Sequence, residues 1–254
     1  MLYLARIPSF SELYQWSRIL AGACMAICII SLPYLWEIRS NLPLEEVQGI
    51  SVQYLYFHVP CAITTLSLYT ILCVFSFFTI VWNIKIAYDG ICSILPPCFL
   101  SSLATLLSGS LWGKETWGTF WVWDARLTSF LVLSLFLGFL LIATHMRERT
   151  SKSFRQLIGI IILIGFFDVI LTHFAVEWFQ TLHQGRSLWT SSGNKIAPVF
   201  AYPLYLHTLH TLLWATGLTA AHFSHYMHQY LEKEKHPKTF QRGWSLKSSV
   251  SISN

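Results

Sequence analysis

The chain has 254 residues, 54% of them hydrophobic and only 11% charged, with a mean hydropathy of +0.51. So little charge cannot clothe a water-facing surface, which excludes a soluble globule and predicts an all-α, polytopic integral membrane protein. The formal net charge of +5 sits mainly in loops and termini and gives no reason to expect a nucleic-acid partner.

The first apolar run, residues 19–36, follows a mixed polar and apolar start and has no small-residue cleavage site after it, so it is expected to stay as a membrane helix. Further runs cover 60–82, 91–112, 127–145, 156–174 and 200–222. Each is close to the roughly 17 to 25 residues that cross a bilayer as helix, which predicts six transmembrane helices. With no linker or internal repeat, residues 1–254 read as one membrane domain.

Before the second run stands His58-Val59-Pro60; proline suits a first helical turn, which places His58 at an interface. Between the third and fourth runs, residues 112–128 read Trp-Gly-Lys-Glu-Thr-Trp-Gly-Thr-Phe-Trp-Val-Trp-Asp-Ala-Arg-Leu-Thr. Within the fifth run lies Asp168, an intramembrane acid and so a functional candidate by default, here read as a structural hydrogen-bond partner. After that run, Glu177-Trp178-Phe179-Gln180-Thr181-Leu182-His183-Gln184-Gly185 brings a second histidine into an aromatic-rich loop. The sixth run carries His207 and His210 and leads into His222, His225 and His228, read as an interfacial cluster. The tail, 229–254, is basic and then Ser-rich, and is expected to be mobile or to lie along headgroups.

Of the 17 Lys and Arg residues, twelve fall in the N-terminus, the 83–90 and 147–155 loops and the tail, and five in the other loops. Positive residues are retained on the cytoplasmic side, so both termini are expected there, with loops 37–59, 112–128 and 175–199 outside. All six cysteines lie within or beside apolar runs and none forms C-x-x-C, which predicts packing roles and no thiol-redox or covalent haem site of the chain's own.

Two histidines and a dense tryptophan loop thus share one predicted face. Haem iron needs axial donors, which two imidazoles such as His58 and His183 can supply. The porphyrin wants aromatic contact, for which Trp112, Trp117, Trp121 and Trp123 are candidates as a flat platform, Trp117 and Trp121 sharing a face if the loop is helical. Its propionates want cations, with Arg126 the nearest candidate and Arg186 and Lys114 the others. Asp124 is counted with that platform, and either orients Arg126 or caps the fourth helix. The plainer reading makes the tryptophans an interfacial belt and the histidines structural.

These segments resemble the haem exporter protein C family (CcmC) of cytochrome c maturation. The matching pieces are Tyr56-Phe57-His58-Val59-Pro60, Trp112-Gly113-Lys114 with the tryptophan-rich WWD signature over Thr116–Thr128, and Val176-Glu177-Trp178 with Thr181-Leu182-His183-Gln184-Gly185, Gly118 and Trp178 being expected to support the loop. The ending Asp124-Ala125-Arg126-Leu127-Thr128 favours this branch over related haem synthetases, whose loop usually continues Asp-Pro-Lys-Glu. Phe179-Gln180 stands where the family usually has Trp-Asn. The resemblance implies non-covalent, b-type haem held by the WWD loop at the periplasmic face of a bacterial inner membrane, or a mitochondrial one, with His58 and His183 as axial ligands. It implies delivery to the haem chaperone CcmE, with CcmD and the ABC-type pair CcmA and CcmB as further partners, and handling rather than catalysis.

Two other functions are open to the residues. In a docking subunit of an ABC-type complex the tryptophan loop would only receive a partner protein. In a b-type cytochrome His207 or His210 would pair with His222 or His225, about 22 Å along one helix at 1.5 Å per residue, though a second helix with a matching pair is missing.

Overall fold

Apolar segments that must satisfy their backbone groups without water form helices. Six do so in the computed structural model, which describes residues 8–44, 46, 48–146, 151–183 and 196–235. They are α1 (Phe10–Ser40), α2 (Leu55–Trp82), α3 (Lys85–Trp117), α4 (Ala125–Met146), α5 (Lys152–Trp178) and α6 (Pro198–Lys235). A 3-10 helix, Ile50–Tyr54, runs directly into α2, and the described residues contain no strand. The all-α expectation and the six helices are borne out, and each helix is longer than the apolar run that predicted it.

Local chemistry sets the ends. Ser9 opens α1 with a reciprocal capping box to Glu12, and Ser151 accepts from the Phe154 N–H at the start of α5. Gly118 closes α3 at φ 76°, a conformation that favours glycine. The 3-10 turn moves the start of α2 upstream of Pro60, so His58 lies in the first helical turn, and Pro60 sits inside the helix rather than opening it.

The helices α1 to α5 are long and apolar enough to cross a membrane, α2 counted with its 3-10 extension. The longest helix, α6, has 38 residues, but its histidines and charged end dilute its hydropathy. α3 is the most deeply buried of the five and packs on α2, α4 and α6, while α1 packs chiefly on α6. Small and hydroxyl residues let α3 take that place. Ser93, Ser102, Thr105 and Ser108 are buried and donate to carbonyls three or four residues back, so they need no water.

Around α3 the core gathers Leu72, Tyr88, Ile91, Leu95, Leu133, Leu137 and Ile162. The Tyr69 hydroxyl donates to the Ile162 carbonyl at 2.9 Å, tying α2 to α5. All six cysteines are free thiols, five of them buried, consistent with packing.

At the end of the bundle away from the tryptophan loop, α6 overturns part of the tail expectation. Residues 229–235 are helical, because Tyr230 is anchored: its ring stacks on Phe10 at 4.9 Å and its hydroxyl donates to Asp89 Oδ2 at 2.5 Å. Residues 236–254 lie outside the described residues.

Candidate functional site

The C-terminal ends of α1, α3 and α5 and the N-terminal ends of α2, α4 and α6 meet at one end of the bundle. Contacts there include Arg39 to Gln53 at 3.1 Å, Trp112 Nε1 to Gln48 Oε1 at 3.0 Å and Tyr56 to the Phe200 carbonyl at 3.3 Å.

His58 and His183, far apart in sequence, come together here with ring centres 6.4 Å apart and planes inclined by 37°. The first comes from the opening turn of α2 and the second from the segment after α5. His58 is held from α3, since its Nδ1 lies 3.0 Å from the Thr105 carbonyl and 3.3 Å from Ser108 Oγ. The Trp112 ring meets His58 edge to face at 5.7 Å and 75°. Arg126, near the start of α4, is close enough for its charge to act on His58.

The tryptophans are organised differently from the expected platform. α3 continues through Trp112 to Trp117, so the irregular loop is only 118–124. Trp117 and Trp121 therefore do not share a helical face, because Gly118 ends the helix between them. Trp117 instead lies over Gly113 of its own helix. Trp121 and Trp123 meet at 5.6 Å and 77°, an edge-to-face pair and not a flat sheet of rings, as the aromatic quadrupole prefers. Trp123 is 77% exposed and is the most open of the cluster.

Asp124 resolves its two expected roles toward capping: its Oδ1 accepts from the Leu127 N–H at 2.8 Å and so begins α4. Lys114 donates to the Gly118 carbonyl at 3.0 Å and lies 5.4 Å from the Phe120 ring centre, which commits it to the neck of the loop. Trp178, the last residue of α5, stacks on Phe174 at 5.2 Å and 13°. Between the loop and the segment leading to His183 lies a cavity of 330 Å³, lined by Val122, Trp123, Asp124, Gln180, Thr181 and Leu182. Arg186 lies outside the described residues.

Asp168 Oδ2 is buried and meets no hydrogen-bond partner among the described residues. His207 and His210 lie on the other side of α2 from His58, His207 against Tyr56 at 5.5 Å and His210 Nδ1 at 3.0 Å from Ser31 Oγ.

Thr105, Ser108, Gly109 and Gln48 were missed by sequence reasoning. The first three form, with Trp112, an i, i+3, i+4, i+7 stripe of α3. That spacing was legible as a stripe, but nothing in it says which helix it faces.

The site can offer two imidazoles to one ligand beside an aromatic wall and a guanidinium. No group of three or more His, Cys, Asp or Glu that could hold a bare metal ion is present among the described residues.

Comparison with known proteins gives one coherent result. A family model described as "CcmC: Heme exporter protein C" matches residues 3–241. The protein named "Heme exporter protein C" of Escherichia coli K12 is 35% identical over 197 residues, 78% of each chain. Its namesake in Paracoccus denitrificans is 33% identical over 190 residues, covering 74% of this chain and 76% of its own. That of Bradyrhizobium diazoefficiens is 32% identical over 206 residues, covering 81% and 78%.

Proposed function

Since the chain belongs to the haem exporter protein C family, we propose that it handles haem for cytochrome c maturation, holding it at the outer face of a bacterial inner membrane and passing it to the chaperone CcmE. The observation that carries this reading is the convergence of His58 and His183 at 6.4 Å. An iron bound by one nitrogen of each imidazole at roughly 2 Å puts the ring centres roughly 6 Å apart. A porphyrin brings the other four nitrogens, which suits a site whose described residues offer no cluster of three or more metal donors.

In this mechanism the chain binds, orients and releases its cargo. His58 and His183 would hold the iron, with the haem not covalently attached to the chain. Trp112 walls the His58 side, and the exposed Trp123 and the 330 Å³ cavity leave an open edge for the receiving protein. Arg126 engages a propionate, while Lys114 stays with the Gly118 carbonyl and the Phe120 ring. The alternation of helices and the distribution of Lys and Arg support α6 as a sixth crossing, both termini in the cytoplasm and the tryptophan loop in the periplasm. CcmD and the CcmA–CcmB pair complete the assembly in which the loaded chaperone is released.

The test is the absorption spectrum of the protein purified from haem-replete cells with its chaperone, beside His58→Ala and His183→Ala. Each substitution is expected to weaken bound haem or change its ligation while leaving the helical fold. Parental haem content and spectrum in both variants would overturn the ligand assignment. Haem-free parent protein would favour a docking subunit.

A further inference from the structure

The way α3 grips His58 goes beyond the pairing of the two imidazoles. A backbone carbonyl can only accept a hydrogen bond, so Nδ1, 3.0 Å from the Thr105 carbonyl, carries the proton. The Ser108 hydroxyl gives its own proton to the Ala104 carbonyl at 2.6 Å and therefore turns a lone pair toward the same Nδ1–H. Both partners select one tautomer, in which Nε2 keeps its lone pair. Gly109 makes the approach possible: a Cβ there would stand 2.7 Å from His58 Cε1 and 3.1 Å from Nδ1.

We propose that Thr105, Ser108 and Gly109 are positioning residues, a seat on α3 that fixes the tautomer and pose of His58 so that Nε2 is the nitrogen offered to iron. The proposal rests on His58 being a haem ligand and assigns how that ligand is prepared. Metal-bound imidazoles generally donate their second N–H to a carbonyl or carboxylate, which orients the ring and raises its basicity. Here the donor's partner lies on the helix that runs on through Trp112 into the tryptophan loop, so ligand and aromatic wall are set by one rigid element.

Gly109→Ala should push the ring off its seat, since the ring end of a histidine yields more readily than the helix backbone. The expected result is loss of the two-imidazole haem spectrum in favour of a one-imidazole spectrum, with added free imidazole restoring the first. Ser108→Ala removes a lone pair without adding bulk and should speed haem loss by about 10-fold, the lower end of the range for such supporting contacts, with Ser108→Thr recovering it. Without haem, NMR of histidine-labelled protein should report an Nδ1–H tautomer for His58 in the parent and a changed resonance in Gly109→Ala.

Parental coordination and an unchanged His58 resonance in Gly109→Ala would overturn the seat. If that variant fails to fold, Ser108→Ala decides, and a parental rate of haem loss there overturns the proposal. An unchanged spectrum in His58→Ala would instead sink the ligand reading, while the haem-free tautomer measurement still judges the seat on its own.

Discussion

At the residue scale, Asp124 shows how one side chain in a ligand-like motif can have a structural duty. Its Oδ1 caps α4 through the Leu127 N–H, while Oδ2 is buried without a partner among the described residues. Asp124→Ala should therefore cost about 0.5–2 kcal/mol of stability, the usual loss for a missing N-cap. Asp124→Asn keeps the accepting oxygen and should recover most of that loss. Thermal unfolding of the purified protein in detergent, followed by circular dichroism, checks both; equal destabilisation by Ala and Asn would show that the charge and not the cap matters. The histidines carry the complementary lesson: His58 and His183 could be picked out as imidazoles near one face, but their separation of 6.4 Å could not.

At the scale of elements, α3 organises the molecule. Its small and hydroxyl residues admit neighbours on several sides, its middle seats His58, and its end presents the tryptophans. Where that helix stops decides the shape of the loop, and Gly118 at φ 76° is the stop. Gly118→Ala would force a side chain into the left-handed region at a cost of about 1–3 kcal/mol. The expected outcome is a lower unfolding temperature with a changed tryptophan emission spectrum, because the turn that places Trp121 and Trp123 is altered. Unchanged emission and stability would mean that the loop geometry does not depend on this turn. The apolar run ending at Trp112 suggested a span ending there, but hydropathy tracks bilayer contact and not helix length. A helix persists past the apolar stretch for as long as its backbone bonds and its cap allow.

At the scale of the whole molecule, even helix number and charge asymmetry lead to one topological prediction. Thr119→Cys, in the tryptophan loop, should react with a membrane-impermeant thiol reagent in intact inner-membrane preparations that expose the periplasmic face. Asn83→Cys, between α2 and α3, should react only after permeabilisation. The reverse pattern would overturn the orientation, and reaction of both without permeabilisation would remove the membrane-spanning reading of α3, the helix that separates the two positions. By itself the sequence determined the all-helical membrane class, the six helices, the apolar setting of the cysteines and the motifs of the family, because these depend on local composition, periodicity and spacing. Only the tertiary structure decided that His58 and His183 face each other, that Thr105, Ser108 and Gly109 seat one of them, and that Tyr230 anchors the supposed tail to Asp89. Those facts are set by which faces of distant helices pack together, and a single chain's periodicity marks a face without naming its partner.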